Sequence, residues 1–229
     1  MNDIITIRKA TLNDIEFLVD TIVSAEKSGT DNFGLAKLFD LSENAMRDYI
    51  KAMLEEEIEG CEFSVSSFIV AETQGEVVAA FAGWNEGNNE DDMASAILKS
   101  NLVGYCLPKE NVRKSQSKSD IVRPLQIERE KGSYQLEYSY TKPEYRGRGI
   151  MTEIIKAHIQ QAVVDGCKKM QVHVFYNNPA AIKTYEKMGF EVTKKYESEH
   201  PLTSEYFPSN IELLMEKKLN NIYYEQNRN

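Results

Sequence analysis

Arg146, Gly147, Arg148, Gly149, Ile150 and Met151 are the residues of this chain whose types and spacing most directly suggest chemistry. Two glycines two apart let several backbone N–H groups turn toward one point, and the neighbouring arginines add positive charge, so the run suits a diphosphate. A helical pattern begins at Ile150 and continues through Thr152, which aims the positive end of a helix dipole at the same anion. A second constellation follows at Asn178, Ala181, Tyr185, Lys187, Gly189 and Phe190. Asn178 before Pro179 reads as a helix N-cap with proline in the first turn, and Gly189 as the stop of that helix. Lys183 and Lys187 on this helix join Arg146 and Arg148 as candidates for binding an anion.

Elements must position these residues, and the pattern alternates strand and helix. Residues 4–8 read as a strand, and Thr11 with Asp14 is a capping box opening a helix with Ile15, Leu18, Ile22 and Ala25 on one stripe, stopped by Gly29. Ser42 opens a second helix carrying Met46, Ile50, Met53 and Leu54, with Gly60 as its expected end. Residues 68–72 and 77–84 read as a hairpin. Leu136, Tyr138 and Tyr140 alternate with polar residues as a strand of period two, which Pro143 ends. Helix 150–165, strand 170–175, a helix to Met188, strand 190–193 and strand 211–219 follow. His158 on the apolar stripe of the first of these helices reads as a satisfied core histidine. Between 85 and 133 periodicity is weak, apart from a short helix around Met93, Ala96 and Ile97. This stretch is expected to be an elaborated, partly mobile connection that carries local structure or shapes a site. The expected organisation is a single domain over 1–219 with that insertion, then a polar tail at 220–229.

Composition narrows the function classes. The chain has 229 residues, 41% apolar and 28% charged, enough for a sizeable core. A net charge of −9 argues against a nucleic-acid surface, which needs a basic footprint. The longest apolar stretch is far short of a membrane span, and no basic leader precedes it. Three widely spaced cysteines offer neither a disulfide framework nor metal-ligand spacing, so no metal is expected and a reducing cytoplasm fits best. The charge is uneven: between 142 and 187 eight basic side chains face four acidic ones, and the negative excess lies mostly before residue 142. A cationic acceptor, such as a polyamine, an aminoglycoside-like sugar or an amino-acid amine, fits that bias. Trp84, Phe33 and Tyr105 are candidates to line its pocket.

Arg146 and Gly149 match the pattern Arg/Gln-x-x-Gly-x-Gly/Ala, with Met151 standing where Gly or Ala is usual. Asn178, Ala181, Tyr185, Gly189 and Phe190 match a second signature in full. Over residues 136–190, about a quarter of the chain, the sequence resembles the GNAT N-acetyltransferase superfamily. The resemblance implies an α/β fold, a mixed, mostly antiparallel six- to seven-stranded sheet with helices on both faces. It implies acetyl-CoA as co-substrate, with no metal. The strands at 136–141 and 170–175 would splay apart and hold the pantetheine arm against main-chain groups near Tyr140 and Thr141. The diphosphate would sit on the amides of Arg148 to Thr152, flanked by Arg146 and Gly147, with Asn178, Ala181, Tyr185 and Lys187 on the other wall. A small-molecule or peptide amine would attack the thioester directly, Tyr185 would protonate the departing thiolate, and Glu137 would take the ammonium proton. Pairing of two copies through the C-terminal strands is also implied. The alternative from another class is a non-catalytic acyl-CoA sensor of the same fold. A nucleotide-binding protein fits less well, because the glycine turn lacks the Lys-Ser/Thr ending of a P-loop.

Overall fold

The computed structural model describes residues 4–87, 93–126 and 128–219, so the acidic stretch 88–92 and the polar tail 220–229 lie outside the described residues. One sheet of seven strands runs in the order β1-β2-β3-β4-β5-β7-β6. Its strands are β1 (Thr6–Lys9), β2 (Phe68–Thr73), β3 (Glu76–Asn85), β4 (Tyr134–Thr141), β5 (Lys169–Phe175), β6 (Glu191–Glu197) and β7 (Ile211–Lys218). Every neighbouring pair is antiparallel except β4 and β5. The mixed sheet of the sequence reading is therefore present.

Helices cover both faces, and each face has its own core. On one side α1 (Ile15–Lys27), α2 (Gly34–Leu38) and α3 (Glu43–Glu55) bury Leu18, Ile22, Met46 and Ile50 against Phe63, Phe68 and Tyr138. On the other, α7 (Ile150–Val164) and α8 (Pro179–Lys187) pack Ile154, Ile155 and Tyr185 on Phe81, Leu136 and Val172. The capping box before α1 is formed: the Thr11 amide donates to Asp14 Oδ2 at 2.7 Å, and Arg8 clamps the same carboxylate. His158 is the satisfied core histidine expected, its Nδ1 2.9 Å from Tyr134 Oη and its Nε2 3.0 Å from the Phe81 carbonyl oxygen. Burial pushes its pKa down to about 4. Gly83 makes this possible, because a Cβ there would stand 2.6 Å from His158 Nδ1.

Three expectations need correction. Gly60 does not end α3; the helix stops at Glu55, where Glu57 with φ +52° turns the chain, and Gly60 lies in the following loop. The strand expected at 190–193 is β6, which starts one residue later and extends to Glu197, with Phe190 buried in the core instead. The 85–133 connection is helical: α4 (Ser95–Cys106), α5 (Lys109–Gln116) and α6 (Ser119–Val122). Its apolar residues are spread around α4, where Ile97 is exposed while Leu102 is buried, and α5 buries none, so periodicity gave little signal. Glu86 anchors the start of this segment by accepting from the Ser95 amide at 2.9 Å and from Trp84 Nε1 at 3.0 Å.

Candidate active site

The site originates in a break of the sheet. β4 and β5 pair only from Tyr134–Met170 to Leu136–Val172, although both strands continue beyond that point, β5 as far as Phe175 on β7. Beyond Leu136 the β5-facing edge of β4 has no strand partner among the described residues.

A bulge in β4 lies at the same place. Ala82 faces Glu137 while Phe81 faces Ser139, so Tyr138 is an extra residue, with φ +58°. The strict alternation expected for this strand is thus broken: Leu136 packs in one core and Tyr138 in the other. An inserted residue shifts the parity of side chains along the strand. Glu137 and Tyr138 line one cavity, Tyr138 donating to Glu26 Oε1 of α1 at 2.8 Å, and Ser139 Oγ meets Tyr185 Oη at 3.3 Å.

Below the open edge the chain passes through Pro143 into the glycine turn. Gly147 and Gly149 have φ of +75° and +78°, the left-handed region where glycine is favoured. Among the described residues no heavy atom lies within 4 Å of a Cβ built at either position, so backbone conformation alone favours glycine there. Gly149 is the N-cap of α7 and no side chain caps this helix, so the first-turn amides of Ile150, Met151 and Thr152 have no carbonyl within it to bond. Arg146 donates from Nε to the Thr141 carbonyl at 3.0 Å, with its guanidinium 6.0 Å from the Tyr140 ring centre. Arg148 donates to the Glu144 carbonyl at 2.9 Å and stacks on Tyr145. The Thr141 carbonyl thus already accepts one hydrogen bond.

Asn178 caps α8, its Oδ1 accepting from the Ala181 amide at 3.2 Å. Asn178, Ala181, Tyr185 and Glu137 all line a cavity of about 500 Å³. Lys187 is not brought there: it is exposed in the last turn of α8, where its charge complements the helix dipole. Burial pushes the Tyr185 hydroxyl up to about 12, keeping it protonated near neutrality. Burial also raises Glu137, against the pull of Arg129, with which it is ion-paired.

The expected aromatic lining is incorrect. Trp84 lines a separate cavity with His158 and Tyr134, Phe33 is buried in the core, and Tyr105 is 76% exposed. The roof comes from the insertion: Lys99 and Val103 of α4, Val112 of α5, then Leu125 and Arg129. Sequence reasoning also missed Glu26, His173 and Glu212 on the cavity wall. The available signal was a polar residue at an apolar position, since Glu26 continues the α1 stripe four residues after Ile22, and His173 and Glu212 interrupt apolar strands.

Arg129 and Lys99 are held by charge. Glu62, fully buried, pairs with Lys99 at 2.7 Å and with Arg129 at 3.2 Å. Burial opposes ionisation of Glu62, but the charges of Lys99 and Arg129 outweigh it and hold its carboxyl at about 2. Arg129 also lies over the Trp84 ring at 5.0 Å.

The site is thus a sheet split between two parallel neighbours, with a glycine turn and a helix start beside the split. The chain belongs to the acetyltransferase (GNAT) family, whose profile matches residues 35–190, more than half of its length. It is similar to bovine (Bos taurus) thialysine N-epsilon-acetyltransferase, 37% identical over 65 residues, which are 28% of this chain and 38% of the bovine protein. The match thus spans well under half of that relative. Among solved structures, an N-acetyltransferase from Staphylococcus aureus Mu50 superposes with a TM-score of 0.67 at 17% identity, covering 93% of this chain and all of that one. A protein from Salmonella typhimurium, solved with acetyl-CoA as its cofactor, gives 0.56 at 14% identity over 94% of each chain. These two share the fold.

Proposed function

We propose that this protein transfers the acetyl group of acetyl-CoA to a primary amine of a small molecule in a ternary complex. The single observation that carries the reading is the unpartnered edge of β4 ending beside the uncapped start of α7. Pantetheine supplies amides that bond such an edge as an added strand would, and a diphosphate suits the Gly147–Gly149 turn. The positive charge of Arg146 lies beside it. The Salmonella protein, solved with acetyl-CoA, has the same fold.

The amine nitrogen attacks the thioester carbonyl carbon; the C–N bond forms, the C–S bond breaks, and the ammonium proton passes to Glu137. A main-chain N–H of the open β4 edge near Tyr140 stabilises the oxyanion. Tyr185, protonated and on the cavity wall, gives its proton to the departing thiolate. Burial raises the basicity of Glu137, which favours proton uptake.

The test is free-thiol release from acetyl-CoA across a panel of amines, with the N-acetyl product identified by mass. Stoichiometric thiol and product are expected. Binding of CoA with no release for any amine would replace transfer by a sensor function.

A further inference from the structure

The acceptor end of the cavity has more carboxylates than its own cations satisfy. The ionisable groups facing it are Glu26 of α1, Lys99 of α4, Arg129, Glu137 and Tyr138 of β4, His173 of β5, Tyr185 of α8 and Glu212 of β7. Lys99 is paired with Glu62, and Arg129 with Glu62 and Glu137. Glu26 has a neutral partner, the Tyr138 hydroxyl, and Glu212 is only 5% exposed with no hydrogen-bond or ion-pair partner among the described residues. His173 is beside it in the sheet, on the same face: Glu212 stands across from Phe175, two residues along. Both His173 ring nitrogens are excluded from solvent and have no hydrogen-bond partner among the described residues.

Burial pushes Glu212 well above the ordinary carboxylate range and raises Glu26 as well, so each carboxyl favours its protonated form on its own and an incoming cation would stabilise the ionised one. We propose that Glu26 and Glu212, with the His173 ring as an uncharged acceptor, form a subsite for a second positive charge on the acceptor, which is therefore a linear α,ω-diamine or polyamine. Apolar side chains that line the same cavity, Phe39, Val103, Val112, Phe175 and Phe207, suit a methylene chain. One amine end lies at Tyr185 and Glu137, and the other at Glu212.

The kinetic half of the test rests on the acetyl-transfer reading, and the binding half does not. In calorimetry on the CoA complex, 1,4-diaminobutane should bind at least about tenfold more tightly than butylamine, as a charge-assisted contact implies. E212Q and E26Q should each bring that ratio close to one, whether or not acetyl is transferred. The ratio of kcat/KM for the two amines should follow the same pattern. Equal affinity of the native protein for both amines, or a ratio that survives both substitutions, overturns the subsite. Preferential diamine binding without thiol release upholds the subsite and counts against transfer.

Discussion

Gly149 is the position where backbone conformation and anion binding can be separated. Its φ of +78° lies in the left-handed region, and a Cβ there would meet no described residue within 4 Å. Gly149→Ala therefore costs the left-handed penalty of an L-residue, about 1–2 kcal/mol. For a chain of this size that lowers Tm by about 2–8 °C. If the amides from Arg148 to Thr152 hold the diphosphate, a displaced loop also forfeits at least one charge-assisted hydrogen bond, about 1.5–3 kcal/mol, or roughly 10- to 100-fold in CoA affinity. Gly166 is the control, with φ +74° and equally open surroundings, at the far end of α7. Calorimetric titration of CoA well below Tm, with scanning calorimetry on the same samples, separates the effects. Gly166→Ala should lower Tm by a similar amount and bind CoA normally. If Gly149→Ala binds CoA within about twofold of the native protein, the loop is not the diphosphate site.

Tyr185→Phe should lower kcat by about 10²-fold or more with little change in CoA affinity, and equal loss of both would argue for a packing role. Because Glu137 must be ionised to accept a proton and its pKa is raised, kcat/KM should be lost as pH falls through an apparent value above the ordinary 4.5. Glu137→Gln should lower the rate and remove that limb; a limb that persists unchanged assigns the titration elsewhere. Arg129→Met should destabilise the fold by about 3–5 kcal/mol in urea unfolding, since it leaves Glu62 and Glu137 short of a cation. A loss under about 1 kcal/mol would show the pairs to be solvent-screened. His158 binds its proton at about 4 in the fold against 6.5 outside it, so stability is lost as pH falls from 6.5 toward 4, by about 3 kcal/mol in all. Replacing His158 by Gln should flatten urea midpoints over that window, and an unchanged slope would contradict its buried neutral state.

What could be read from the sequence was what local chemistry specifies. The Thr11–Asp14 box, the Asn178–Pro179 cap and the glycines at 147, 149 and 189 act through a few neighbouring residues, so their types disclosed the turns and helix starts. The two motifs likewise disclosed the family, because both are short and sit on elements bounded by clear stops. The acceptor side could not be read in this way. Glu26, Glu137, His173 and Glu212 lie on four separate elements and meet only through the sheet order and the Tyr138 bulge, a non-local event with no glycine to announce it. The α4–α6 roof was hidden for a related reason: a helix laid over a polar cavity need not carry one clean apolar stripe.

A crystal structure of the protein soaked with CoA is the most direct test of the central claim. The account predicts pantetheine amides bonded along β4 from Tyr138 to Tyr140, the diphosphate on the amides from Arg148 to Thr152, and the sulfur within reach of Tyr185 Oη. CoA bound elsewhere, with the β4 edge and the glycine turn left bare, would contradict it.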